Sequence, residues 1–350
     1  VAEHSNNREK TDSECRKRTA PWVRIQNKGK LNENQVLCNY YEGFVDQEAD
    51  LKLDDGIFTL DDLKEYGRKQ NVCPYFFARK VIGDAKIVVY SYMYFLDPMV
   101  GDLISKELKG DCIVVFDEAH NIDDICCEAY HIELNRPLLD GALRNINELK
   151  DKIEEIKQVD KNKLEEEYSK LVKGMAAKGL INEESKLEEA APDIINGLVQ
   201  ETIPGNIRKA DHFIMFLKKF VIFVRGLINI KDVKILSPEG FLEELNKSTH
   251  LEATPLKFFN ERLRMLLSTL EYSDTYSMMP LLTITLFGTF AATYTKGFSL
   301  IIEPFSEHAP DLNDPFLNFT CLDSSLAMKS VFTRFKAVIL TSGTMSPMEM

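Results

Sequence analysis

Val114-Val115-Phe116-Asp117-Glu118-Ala119-His120 sets a run of apolar residues directly before two carboxylates and an imidazole. Such a run reads as a buried strand of a parallel sheet, and open α/β sheets bind ligands at the carboxyl ends of their strands. In nucleoside-triphosphate hydrolysis the first acid of such a pair, here Asp117, holds Mg²⁺, and the second, Glu118, positions and polarises the attacking water. A bland alternative is that Asp117-Glu118 only caps a helix starting at Asn121-Ile122-Asp123-Asp124.

Working outward, Ala85-Lys86-Ile87-Val88-Val89-Tyr90-Ser91 is a second β-branched run. A helix-length segment containing Leu103-Ile104-Ser105-Lys106-Glu107-Leu108 separates it from the first, so the pair predicts a parallel sheet. Two later stretches return to strand: Phe298-Ser299-Leu300-Ile301-Ile302-Glu303-Pro304, and Ala337-Val338-Ile339-Leu340 followed by Thr341-Ser342-Gly343-Thr344. The small hydroxyl residues of that last turn suit hydrogen bonds to the acid box or to DNA, although a plain strand-to-loop turn has the same composition. Residues 134–272 carry heptad-like helices such as Leu149-Lys150-Asp151-Lys152-Ile153-Glu154-Glu155-Ile156 and the stretch from Leu164 to Met175. Breaks fall at Ala191-Pro192-Asp193 and Ile203-Pro204-Gly205-Asn206.

Residues up to about 55 are polar and lack apolar periodicity, which predicts loop. A capped helix follows, with Thr59 or Asp61 as N-cap and Gly67 at its end, and Cys73-Pro74 marks another helix start. The uncharged stretch 275–295 approaches the length of a membrane span. Its threonines, Pro280 and Gly288 favour a buried helix pair instead, so no membrane association is expected.

The net charge of −12 over 350 residues argues against a surface that binds nucleic acid throughout. Basic residues do cluster early, at Arg8, Lys10, Arg16, Lys17, Arg18, Arg24, Lys28 and Lys30, around Trp22, whereas Glu165-Glu166-Glu167 and Glu183-Glu184 make the middle acidic. That basic stretch reads equally as a solvated loop or as part of a nucleic-acid path. The seven cysteines are scattered and follow no signal peptide, which predicts a reducing compartment. Cys15, Cys38 and Cys73 lie in the stretch with the least core to bury, where a metal staple is useful. Iron–sulfur ligation, zinc with a His ligand and no metal all fit their wide spacing. No Gly-x-x-x-x-Gly-Lys-Ser/Thr loop occurs, and Gly29-Lys30 is followed by Leu31. The chain is expected to hydrolyse no ATP by itself and to continue upstream of Val1.

Taken in order, Thr59-Leu60-Asp61-Asp62-Leu63-Lys64, Cys73-Pro74-Tyr75-Phe76, Val89-Tyr90-Ser91-Tyr92, Asp117-Glu118-Ala119-His120-Asn121-Ile122-Asp123, Pro204-Gly205-Asn206-Ile207-Arg208, Lys296-Gly297-Phe298, Ile302-Glu303-Pro304-Phe305 and Thr341-Ser342-Gly343-Thr344-Met345-Ser346-Pro347 resemble the XPD helicase family of transcription factor IIH. The resemblance implies an α/β fold: an incomplete RecA-like motor domain with a parallel sheet, a loop-rich iron–sulfur domain at 1–80, and a mostly helical arch insertion at 128–295. Residues 81–127 and 296–350 would form the motor part. It further implies a nuclear, ATP-dependent motor that moves 5′ to 3′ on single-stranded or forked DNA, opens it for nucleotide excision repair and supports transcription initiation. Cys15, Cys38 and Cys73 match ligands of a [4Fe–4S] cluster, Asp117 the Mg²⁺ ligand, Glu118 the catalytic base, and His120 a residue coupling hydrolysis to movement. Ser342, Gly343 and Thr344 match the coupling motif III. The arch would dock the kinase-tethering subunit among other factor IIH subunits. Tyr75 and Arg79, one helical turn apart beside Cys73, suit stacking and phosphate contact with a single strand, continued by Arg16 and Arg18. A core aromatic with a surface ion pair is the competing reading of that pair. For the whole chain the competitors are a non-catalytic scaffold of the same complex, another iron–sulfur DNA helicase, and a zinc-binding nucleic-acid module.

Overall fold

The computed structural model describes residues 8–27, 37–98, 111–159, 209–305 and 314–343. The stretches 103–108, 164–175, 191–193 and 203–208, the Gly29-Lys30 pair, the acidic runs at 165–167 and 183–184, and Thr344-Met345-Ser346-Pro347 lie outside the described residues. The chain divides into two units. One gathers the N-terminal residues to Phe95 with Ser273–Tyr276, and the other gathers Ile113–Tyr272 with the residues from Ser277 onward.

Where loop was expected the N-terminal unit is helical: α1 is Arg8–Thr19, α2 Pro21–Asn27 and α3 Asn39–Gln47, and the two expected helices follow as α4 Leu60–Gln70 and α5 Pro74–Ile82. α1 escaped a reading by periodicity because it is polar on every side and has no apolar stripe to recognise. Polar side-chain bonds hold it. The Ser13 hydroxyl, 1 % exposed, donates to Asp274 Oδ1 at 3.0 Å, and Lys17 pairs with Asp274 at 3.0 Å and Glu14 at 2.9 Å. Beyond α1, the Trp22 indole donates to Ser273 Oγ at 3.0 Å.

Thr59 caps α4 in a reciprocal box with Asp62, as expected. Gly67 does not end this helix, which runs on to Asn71 in the left-handed conformation at φ 54°. Gly67 is instead a point of close approach, where a Cβ would stand 2.8 Å from the Val72 carbonyl oxygen. Phe44, Leu51, Val72 and Phe77 form a small core between α3, α4 and α5. α3 docks through the Cys73 amide, which donates to the Tyr40 carbonyl at 2.7 Å. At Gly43 an added Cβ would lie 2.2 Å from the Asn71 carbonyl oxygen. Gly43→Ala should gain about 1 kcal/mol of helix propensity yet lose more by pushing α3 off this corner, for a net cost of about 2 kcal/mol. A lowered urea midpoint in the full-length protein would register it, and an unchanged midpoint would contradict the packing.

The larger unit opens with β1, Ile113–Phe116, parallel to β6, Ala337–Leu340, in the register Ile113 to Ala337 and Phe116 to Leu340. The expected strand at 85–91 is absent. Ile87 and Val89 are 86 % and 92 % exposed, and among the described residues no strand lies beside them to complete a ladder. β1 itself alternates, with Val114 and Phe116 buried and Ile113 and Val115 exposed.

Between β1 and β6 run α6 Ile122–Ala129, β2 Ile132–Asn135, α7 Arg136–Val159, α8 Ala210–Leu227, β3 Lys234–Leu236, α9 Pro238–Thr249, α10 Ala253–Lys257, α11 Phe259–Thr269, α12 Met279–Thr293, β4 Phe298–Glu303, β5 Phe316–Cys321 and α13 Ser325–Arg334. The strand expected at 298–304 forms as β4. β4 lies in a separate antiparallel sheet of order β2-β5-β4-β3. Its inward set, Phe298, Leu300 and Ile302, faces Cys321, Phe319 and Leu317 in register, and the Phe298 and Phe319 rings stack at 5.0 Å. This sheet was hidden because β2 and β3 are short runs inside a region dominated by helical periodicity.

α12 is the central helix, packed against α7, α9, α10, α11 and β2. The buried pair expected at 275–295 is one helix: Pro280 sits at its first turn, where a missing amide costs nothing, and so starts it. Gly288 admits the rings of Phe259 and Phe220, which a Cβ would meet at 2.8 and 3.1 Å. No described helix is long and apolar enough to cross a membrane.

Candidate functional site

Asp117 and Glu118 leave the carboxyl end of β1, beside the turn that leaves β6. Two backbone bonds stitch the strand ends together: the Thr341 amide donates to the Phe116 carbonyl at 2.9 Å, and the Ala119 amide to the Thr341 carbonyl at 3.0 Å. Glu118 takes the left-handed conformation, φ 51° and ψ 44°. A non-glycine residue there costs about 1–3 kcal/mol, a strain that collects at functional turns. The turn aims the Glu118 side chain toward β6.

The Ser342 hydroxyl donates to Glu118 Oε2 at 3.3 Å, and His120 Nδ1 lies 2.8 Å from Ser342 Oγ and 3.3 Å from the same carboxylate oxygen. With its proton committed to Glu118, the serine oxygen is left to accept from His120, which selects the tautomer protonated on Nδ1. Asp117 and Glu118 do not cap the following helix. α6 has Asn121 as its N-cap residue, without a side-chain cap bond, and Asp117 Oδ1 accepts from the Glu118 amide, at 3.0 Å. Both acids are exposed, open to a metal ion or water. Gly343 follows Ser342 with open space around its Cα, and Thr344 lies outside the described residues.

In the N-terminal unit, Cys15 lies on α1, and Cys38 and Cys73 are the N-cap residues of α3 and α5. Burial pushes the Cys15 thiol up, and Cys73 and then Cys38 push it further. They are not a ready-made ligand set: among the described residues no group of three His, Cys, Asp or Glu side chains is arranged to hold a metal ion.

Tyr75, 60 % exposed, is not a core aromatic, and the Arg79 guanidinium lies 5.9 Å from its ring centroid. Arg16 is exposed and Arg18 half-buried on α1. Lys17 is engaged with Asp274, and Arg24 makes a two-pronged pair with Glu42 at 2.7 and 3.0 Å. Those two residues, which the sequence grouped with the basic path, are thus committed to the fold. The bonds of Ser13 to Asp274 and of Trp22 to Ser273 gave no sequence signal, because they span more than 250 positions.

The family model DEAD_2 matches residues 1–139, and the model Helical and beta-bridge domain matches residues 152–297. The structure is a mixed α/β protein with a parallel strand pair, and its first 139 residues match DEAD_2. Along nearly its whole length the chain is homologous to the helicase subunit XPD of general transcription and DNA repair factor IIH. The subunit of that name from Arabidopsis thaliana is 41 % identical over 99 % of this chain and 45 % of its own length. That from Schizosaccharomyces pombe is 40 % identical over 97 % of this chain and 44 % of its own length. The Fanconi anemia group J protein homolog of Gallus gallus is more distant, 25 % identical over 89 % of this chain and 25 % of its own length. The chain spans a little under half the length of the factor IIH relatives it matches.

Proposed function

We propose that the chain forms part of an ATP-dependent 5′-to-3′ DNA helicase, a nuclear subunit of factor IIH that opens DNA in nucleotide excision repair and supports transcription by RNA polymerase II. The observation that carries this reading is the triangle of Glu118, Ser342 and His120 across two parallel strand ends. Glu118 is the base that orients water, and Asp117 is the Mg²⁺ ligand. His120 and Ser342 tie the base to the β6 turn, so a change in the protonation or position of Glu118 is felt one strand away. Gly343 and Thr344 continue that coupling turn. The sequence holds no Gly-x-x-x-x-Gly-Lys loop, and the chain alone should not turn over ATP.

Cys15, Cys38 and Cys73 would hold three corners of a [4Fe–4S] cluster, whose four irons take four thiolates in the usual case. The upward push that Cys73 and Cys38 exert on the half-buried Cys15 thiol is what bound iron would relieve. Iron and sulfide in the purified full-length protein, lost in Cys73→Ser, support the cluster; stoichiometric zinc without iron would overturn it. Tyr75 and Arg79, with Arg16 and Arg18, supply a stacking face and positive charge for single-stranded DNA. Residues 1–80 are then the cluster domain and 128–295 the arch that docks the kinase-tethering subunit. Of 81–127 and 296–350, β1 and β6 belong to the first motor domain.

The test is unwinding of a forked duplex by the full-length protein. Ser342→Ala removes the hydroxyl between Glu118 and His120 and should lower unwinding about tenfold while ATP turnover falls less. An equal fall in both would place Ser342 in the chemistry and not in the coupling.

A further inference from the structure

Just before α4 the chain leaves the small core of the N-terminal unit. Leu51 is 5 % exposed, and Leu53 packs against that core. The next stretch, Asp54-Asp55-Gly56-Ile57-Phe58-Thr59-Leu60, turns outward: Ile57 is 97 %, Leu60 73 % and Phe58 41 % exposed. Leu60, Leu63 and Gly67 follow one stripe of α4; Leu63 packs on the core and Gly67 is buried. Leu60, one turn earlier, extends the apolar stripe past the end of the core and stays exposed.

This excursion is held in shape at both ends. The Tyr66 hydroxyl on α4 donates to the Lys52 carbonyl at 3.2 Å, and the Thr59–Asp62 cap closes the other end with bonds of 2.7, 2.8 and 3.3 Å. Between them Phe58 lays its ring on Gly56, where an added Cβ would stand 3.3 Å from two ring atoms. Single apolar side chains on a surface are ordinary, whereas three adjoining ones on a fixed turn make a patch, and a fixed turn loses less entropy on docking. Acids rim it. Asp54 and Asp55 are exposed and pair with no cation among the described residues, while Asp61 pairs with Lys64 at 2.9 Å and Asp62 closes the cap. The negative rim disfavours nucleic acid and anionic lipid and complements a cationic protein surface.

We propose that Ile57, Phe58 and Leu60 form an apolar knob that docks into an apolar pocket of a partner protein, with lysine or arginine side chains of that pocket facing Asp54 and Asp55. The apolar side chains supply the affinity, and the acids fix orientation and steer the encounter.

The test replaces Ile57 with the photo-crosslinker p-benzoylphenylalanine in the full-length protein, isolates it with its associated proteins from its own cells, irradiates and maps the linked peptides by mass. A crosslink to one apolar segment of an associated protein, flanked by lysine or arginine, is expected. Leu60→Asp should cut its yield about tenfold, as loss of a docking anchor does. An acid at the first helical position suits the helix dipole, so this change favours α4 itself. Asp54→Asn with Asp55→Asn should cut the yield several-fold and flatten its fall with added salt. The proposal is overturned by a crosslink to DNA, to this chain itself or to a segment without cationic residues. It is equally overturned by a yield no higher than with the same probe in place of the exposed Arg68, or by a yield that either set of substitutions leaves as it was.

Discussion

Glu118→Gln in the full-length protein is expected to lower ATP turnover and DNA unwinding by about 10²–10⁴-fold, the usual worth of a positioned general base. The substitution is nearly isosteric, and the side chain is 62 % exposed, so no core is disturbed. Gln keeps an acceptor oxygen for the Ser342 hydroxyl and places no new branch at a left-handed backbone position. What disappears is the capacity to take a proton from water and the charge facing His120. DNA binding and thermal stability should therefore stay close to the parent while turnover collapses. Unwinding at the parent rate would remove Glu118 from the role of base, and loss of folding would show that its turn has a structural duty that the geometry does not reveal.

Phe287→Ala should be the most damaging single change to stability, at about 3–5 kcal/mol. Phe287 on α12 is fully buried, with ring centroids of Phe241, Phe319 and Phe220 at 5.3, 6.0 and 6.2 Å. These neighbours come from α9, β5 and α8, so one ring joins the helical layer to the antiparallel sheet. Truncation leaves a cavity whose walls are other aromatic rings on rigid elements, which collapse poorly. Urea unfolding of the full-length protein should show a correspondingly lowered midpoint. Phe305→Ala, at a 44 % exposed position, provides a control expected to shift it little. A cost below about 1 kcal/mol for Phe287→Ala would mean that α12 is not the keystone of this unit.

The acid box was legible because its residue types and its structural cue sit in seven consecutive residues, and the turn after β6 because it directly follows a β-branched run. α4 and α5 were legible from local capping chemistry at Thr59 and Pro74. The antiparallel sheet was not, since strand pairing between 132–135 and 316–321 is a long-range choice that no local window encodes. The strand expected at 85–91 failed for the same reason in reverse: β propensity forms no strand without a partner edge.

Taken alone, the sequence determined which residue types are present at the acid box, the three N-terminal thiols and the turn after β6, and it determined the elements whose stop and start signals are local. Only the tertiary structure decided that Ser342 and His120 meet at the Glu118 carboxylate, and that Asp274 and Ser273 anchor α1 and Trp22. The physical reason is common to both. A hydrogen bond is a short-range interaction between groups that chain folding brings together, and its partner leaves no trace in the sequence around either residue.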